Sequence, residues 1–139
     1  GFAVCPDPGL LKKMASLRQP WSVSLPAQEA GVAALSVPET YLEQTRRLLR
    51  EERPFLKKGL EELGYRVFDS MVNFLLFYDS RGQESGLWEQ CRQRKILIRD
   101  CRNFSGLGPG YYRICIRGRE ENSRLLKVLK ELEKEGQTG

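Results

Sequence analysis

Two arginines stand where half-buried strand is expected. Arg99 follows the apolar run Ile96-Leu97-Ile98, and Arg113 lies inside Tyr112-Arg113-Ile114-Cys115-Ile116. A guanidinium withdrawn from water needs an anionic partner, and its planar fork suits a carboxylate or phosphate gripped by two parallel hydrogen bonds. The same pattern admits an internal ion pair, with Asp100 or Asp69, or the solvent side of an alternating strand, and residue types alone leave these readings open. Trp21 with Ser22 and Ser24 could line a pocket or equally form a packed turn. Tyr111-Tyr112 beside a basic strand could stack on bases. No recognisable RNA- or DNA-binding motif accompanies the pair, so nucleic acid is not an expected partner.

Several chemistries are excluded. The chain has no histidine, which removes the commonest general base and every Ser/His or Cys/His nucleophile pair. Hydrolytic triads are out. Cys5, Cys91, Cys101 and Cys115 form no C-x-x-C pair, and a mixed Cys/His zinc site cannot be built, so no metal is expected and the cysteines read as free thiols. No Walker-type motif is present, and the glycines of Gly106-Leu107-Gly108-Pro109-Gly110 have the spacing of a sharp loop rather than of a phosphate cradle. The net charge of +5 favours acidic ligands, but the basic residues of 46–58 and 120–134 alternate with glutamates, as on solvated helix faces. The longest apolar run, 71–78, is broken by Asn73 and falls far short of the ~20 residues that span a bilayer. With no signal-peptide pattern at the start, a cytoplasmic protein without a membrane partner is the expectation.

The elements that must position these residues follow from periodicity. Gly1-Phe2-Ala3-Val4-Cys5 reads as a strand that the chain enters midway, ending at the turn Pro6-Asp7-Pro8-Gly9; this suggests a fragment. Residues 10–17 read as a short helix, 19–24 as an extended loop and 25–35 as an alanine-rich helix. Ser36-Val37-Pro38-Glu39 has the spacing of a capping box. A long helix follows, with Leu42, Leu49, Leu56, Leu60 and Leu63 on one stripe and Gly64 as its C-terminal cap. Pro54 predicts a kink near Arg50. Beyond it, 65–69 and 71–78 read as strands, 85–94 as a short helix, 95–101 as strand, 103–110 as loop, 111–117 as strand and 120–135 as a helix with Leu125, Val128, Leu129 and Leu132 inward. The fold class is α+β, a small mixed or antiparallel sheet covered by helices.

Pro20-Trp21-Ser22-Val23-Ser24, the helix ending Gly59-Leu60-Glu61-Glu62-Leu63-Gly64, Asn73-Phe74-Leu75-Leu76, and Ile98-Arg99-Asp100-Cys101-Arg102-Asn103-Phe104 followed by Tyr112-Arg113-Ile114 together resemble the class I/II pyridoxal-phosphate aminotransferase family. Within it they are most similar to the threonine-phosphate decarboxylase and histidinol-phosphate aminotransferase branches, along essentially the whole chain. The resemblance implies the fold type I C-terminal small domain for residues 38–139 and a remnant of the large cofactor-binding domain for 1–37. It implies pyridoxal phosphate as cofactor, a small phosphorylated amino-acid substrate and a homodimer for the full-length protein.

It also implies roles for particular residues. Arg113 would grip the substrate α-carboxylate and Arg99 the anionic end of the site, with Trp21, Ser22 and Asn73 lining the pocket. The lysine that carries the cofactor in this family lies shortly before a strand resembling Gly1-Phe2-Ala3-Val4, and none of Lys12, Lys13, Lys57, Lys58 or Lys95 matches it. The chain alone is therefore expected to be inactive and to contain no catalytic residue. For the complete protein three expectations stand: a threonine-phosphate decarboxylase of cobalamin biosynthesis, a histidinol-phosphate or related aminotransferase, or a non-catalytic domain that binds anions or partners. In the first two the cofactor is an electron sink for whichever Cα bond stands perpendicular to its ring, so the residue that orients the carboxylate selects the reaction.

Overall fold

The computed structural model describes residues 4–82 and 86–136. The strand expected at 1–5 lies mostly outside them, and Val4 and Cys5 carry no strand. Contacts divide the chain into two units, Gly1–Tyr41 and Leu42–Gly139.

The first unit is two helices and a turn. Asp7 caps α1 (Pro8–Leu17), its carboxylate accepting from the amides of Gly9 at 2.8 Å and Leu10 at 3.2 Å, so the helix begins two residues before its apolar run, with Pro8 in a first turn that needs no donor. The 19–24 segment is a loop, but Trp21 adopts φ +58° instead of an extended conformation. After it, α2 runs Leu25–Leu35 and ends at Ser36, whose hydroxyl donates to the carbonyl of Val32 at 3.0 Å. Neither helix contains a buried residue.

The second unit holds the sheet. The long helix α3, Glu39–Glu62, whose first three residues belong to the first unit, continues unbroken through Pro54. It ends as the glycine predicts: Gly64 sits at φ +85°, its amide bonding Glu61 O while that of Tyr65 reaches Leu60 O. This pair of hydrogen bonds is the Schellman stop, and Leu60 and Tyr65 both belong to the core. The strands β1 (Arg66–Val67), β2 (Phe74–Tyr78), β3 (Arg99–Asp100) and β4 (Tyr111–Cys115) form an antiparallel sheet in the order β1-β2-β4-β3. The helices α4 (Leu87–Gln93) and α5 (Arg119–Gly136) complete the unit.

All four strands are shorter than their composition suggests, β1 covering 66–67 of the expected 65–69 and β4 111–115 of 111–117, and for β2 and β3 the reasons are local. Residues 71–73 bend because Ser70 donates to Phe74 O at 2.6 Å and accepts from the amide of Val72, so β2 begins only at Phe74. The apolar 95–98 stretch is not strand because its start is engaged in ending α4. Lys95 takes the left-handed position at φ +59°, its amide bonds Arg92 O and that of Ile96 bonds Cys91 O. A lysine here does the work usually left to glycine.

Alternation along the two central strands separates the layers. Leu75 and Phe77 of β2, with Tyr112 and Ile114 of β4, pack into one core with Leu56 and Leu60 of α3, Leu87 and Cys91 of α4, and Leu125, Leu129 and Leu132 of α5. Buried polar ties lock the helices to it. Glu52 accepts from Arg119 Nε and Asn122 Nδ2, both at 2.8 Å, while Asn122 also closes onto the backbone of Arg117. The phenol of Tyr65 donates to Glu133 at 2.5 Å, and Arg81 bridges Glu133 and Asp79. Burial, with the Glu133 carboxylate as acceptor, pushes that phenol's pKa upward.

Leu129 is fully buried and Leu97 is 81% exposed. Leu129→Ala should therefore cost about 3 kcal/mol of unfolding free energy, and Leu97→Ala less than ~0.5 kcal/mol. Urea unfolding measures both, and equal losses would mean that the α5–sheet layer is not the core.

Candidate anion-binding face

The face of the sheet opposite the core carries both arginines. In the antiparallel register Arg113 lies at the centre of β4, directly across from Leu76 on β2 and from Arg99 on β3. Phe74, Leu76 and Tyr78 of β2, and Tyr111 and Cys115 of β4, share this face by the same two-residue alternation. Arg113 is half-buried and Arg99 exposed. Neither guanidinium enters the core.

The internal ion pairs that the sequence left open do not form. Asp100 is held by Arg102, through Nε at 2.7 Å, Nη2 at 2.5 Å and the backbone amide at 3.0 Å. Asp69 is held by Lys57 Nζ at 2.5 Å. Burial works against ionising Asp100, but the bonds from Arg102, with its charge and that of Arg99, outweigh it and hold the carboxyl below its usual range. Among the described residues no carboxylate is paired with Arg99 or Arg113. Arg99 Nη2 donates to Asn103 Oδ1 at 3.0 Å and lies 5.5 Å from the centroid of Phe104. Arg113 lies 4.7 Å from the centroid of Phe74 and 5.9 Å from that of Phe104. Like charges directly opposite each other on adjacent strands are destabilising by up to ~1 kcal/mol, and here aromatic faces, one amide oxygen and the nearby charge of Asp100 offset that repulsion.

A thiol immediately follows β3. Cys101 is buried, its amide bonded to Tyr111 O at 2.9 Å and its Sγ 3.6 Å from Arg99 O. Burial raises its pKa while the charges of Arg113 and Arg99 pull the other way. In the core, Cys91 is pushed up to about 11 by burial, against the opposing charge of Arg94.

The other expected site residues are not gathered here. Trp21, 97% exposed, and Ser22 border an open groove of about 1040 Å³ with Leu11, Met14 and Val32, all within the first unit. Asn73 stands at the end of the β2–β4 ladder, its carbonyl accepting from the Ile116 amide at 2.9 Å, and its side chain is exposed. A smaller concavity of about 390 Å³, between Ile98, Ile114 and Leu125, includes neither Arg99 nor Arg113. Sequence reasoning missed Phe74, Phe104 and Asn103 as companions of the arginines. The available signal was an amide and an aromatic ring within five residues of Arg99; the register that brings Phe74 to Arg113 had none.

With this geometry in view, similarity to known proteins becomes informative. The family model described as Aminotransferase class I and II matches residues 1–129. The chain is 33% identical over 133 residues to the threonine-phosphate decarboxylase of Salmonella typhimurium, covering 95% of this chain and 36% of that protein. It is 33% identical over 128 residues to the histidinol-phosphate aminotransferase of Methanosarcina mazei, covering 92% and 33%. The crystal structure of the histidinol-phosphate aminotransferase from Clostridium acetobutylicum superposes with a TM-score of 0.77 at 27% identity, over 91% of this chain and 38% of that one. The chain thus spans about a third of the length of the curated relatives it matches.

The thiols give a direct check on this surface. At neutral pH iodoacetamide should modify exposed Cys115 readily and reach buried Cys91 and Cys101 only after denaturation. Peptide mass mapping reads the sites, and labelling of native Cys101 as fast as Cys115 would contradict the burial of Cys101.

Proposed function

The chain belongs to the aminotransferase class I and II family, and from that premise we propose that it is the C-terminal part of a phospho-amino-acid decarboxylase in which Arg113 and Arg99 hold the anionic groups of the substrate. The observation that carries this reading is the cross-strand pair itself: two guanidiniums on adjacent strands, facing away from the core, with no carboxylate paired to either among the described residues. A substrate with a carboxylate and a phosphate supplies the two negative groups that such a pair lacks. Arg113, the more enclosed of the two, takes the α-carboxylate and fixes its rotation about Cα; Arg99, nearer the edge of the sheet, takes the distal phosphate.

Pyridoxal phosphate, the cofactor of this family, requires a lysine to carry it. Every lysine among the described residues is exposed except Lys57, which is tied to Asp69. The residues of this chain do not fit the attachment site, so their part in the reaction is to bind and orient the substrate. A further observation supports a larger whole: α1 and α2 bury no side chain, as expected of helices cut from a bigger layer. In this reading residues 1–37 belong to the large domain and 38–139 form the small domain of a cytoplasmic homodimer that serves cobalamin biosynthesis. Trp21, Ser22 and Asn73 line the substrate pocket of that assembly.

A second reading, an aminotransferase acting on histidinol phosphate, draws support from the equal 33% identity to relatives of both kinds. Products separate the two. The complete polypeptide, expressed from its uninterrupted coding region and supplied with pyridoxal phosphate, should release CO₂ from O-phospho-L-threonine; amino transfer without CO₂ would establish the second reading, and the 139-residue chain alone should turn over neither substrate.

Removing one partner of a desolvated charge pair typically costs ~2–5 kcal/mol. Arg113→Ala in the complete enzyme should accordingly lower kcat/KM more than ~10-fold, and steady-state kinetics within twofold of the parent would overturn the assignment.

A further inference from the structure

We propose that Phe104 is a positioning residue, a single aromatic ring that holds both Arg99 and Arg113 in place on the open face. This rests on the reading of those arginines as the anion-binding pair. The ring lies within cation–π range of both guanidiniums, at 5.5 Å from Arg99 and 5.9 Å from Arg113. It comes from neither strand but from the loop that joins them, where the Phe104 amide bonds Cys101 O at 2.9 Å and its carbonyl accepts from Leu107 at 3.0 Å. The neighbouring side chain, Asn103, pins Arg99 from the same loop at 3.0 Å. Phe74 flanks Arg113 alone, at 4.7 Å.

The physical need for such a residue is plain. Two cations opposite each other on neighbouring strands repel, and long arginine side chains left free would swing apart into solvent. A carboxylate between them would restrain them, but it would also occupy the hydrogen-bonding forks that a substrate must use. An aromatic face attracts a cation through its quadrupole and accepts no in-plane hydrogen bond, so the N–H groups remain available for a carboxylate or phosphate. Phe104 is itself 41% exposed and stands outside the core cluster. Its contribution is to the arrangement of charge rather than to the packing of the fold.

The test uses the complete polypeptide, kept free of pyridoxal phosphate so that the probe is not turned over, and O-phospho-L-threonine as probe, with affinity read from the arginine Nε–Hε NMR signals and folding from thermal unfolding. Phe104→Leu should weaken binding about three- to fivefold, the scale of one partly exposed cation–π contact, and should leave the unfolding midpoint in place. Phe104→Trp, which keeps an aromatic face, should restore affinity to within about twofold of the parent. Arg113→Ala should abolish the saturable shift. Phe104→Leu binding as well as the parent, while Arg113→Ala does not bind, would overturn the role of Phe104 and leave the anion-binding reading standing. Unchanged affinity in Arg113→Ala, or no saturable shift in the parent, would overturn that reading and this inference with it. A loss in Phe104→Leu that Phe104→Trp does not repair, accompanied by a lower midpoint, would reduce the ring to ordinary packing.

Discussion

The antiparallel pairing of β2 with β4 is the constraint on which the rest depends. Its register places Leu75 across from Ile114 and Phe77 across from Tyr112, and these four side chains are the sheet's share of the core. The same register sends Leu76 and Arg113 to the other side. Because the side-chain period is two, a slip of one residue would drive Arg113 into the core and Ile114 into solvent. Burial of the apolar set therefore enforces the outward placement of the arginine, and the stability of the fold and the position of the charge are one decision.

The second arginine is placed less directly. β3 is only two residues long, and the loop that follows it supplies what a longer ladder would have: the Cys101–Tyr111 backbone bond, the Asn103 side chain on Arg99 and the Phe104 ring beside both guanidiniums. Gly110 makes the return possible. It sits at φ +91°, and a Cβ there would meet the carbonyl oxygen of Asp79 at 2.5 Å. Asp79, whose amide bonds Gly110 O, is in turn gripped by Arg81, which reaches Glu133 of α5. A chain of backbone and charged contacts thus runs from the last helix to the loop between β3 and β4.

The helices were legible in advance because their signals are local. The stripe of α3, the glycine that ends it and the inward apolar residues of α5 each lie within a few turns of chain. The strands were legible as strands but not in length. Apolar composition marks 95–98 as β, yet those residues follow a helix that must be stopped, and the Lys95 and Ile96 amides are engaged with Arg92 and Cys91 carbonyls before any ladder can begin. Ser70 shortens β2 in the same manner, by offering the backbone a side-chain oxygen.

The sequence by itself determined the family and the α+β class, since each rests on residue types in a fixed order along the chain, and it singled out Arg99 and Arg113 as candidates. Their state was decided only by tertiary structure. Asp100 and Asp69 were equally available as partners on paper; the fold gives one to Arg102 and the other to Lys57, leaving Arg99 and Arg113 side by side with aromatic neighbours. The juxtaposition of Phe74 with Arg113 spans 39 positions and exists only through the β2–β4 register. Such pairings depend on which strands lie adjacent and in what phase, and that is fixed by burying apolar surface across the whole unit, a quantity no local stretch of sequence contains.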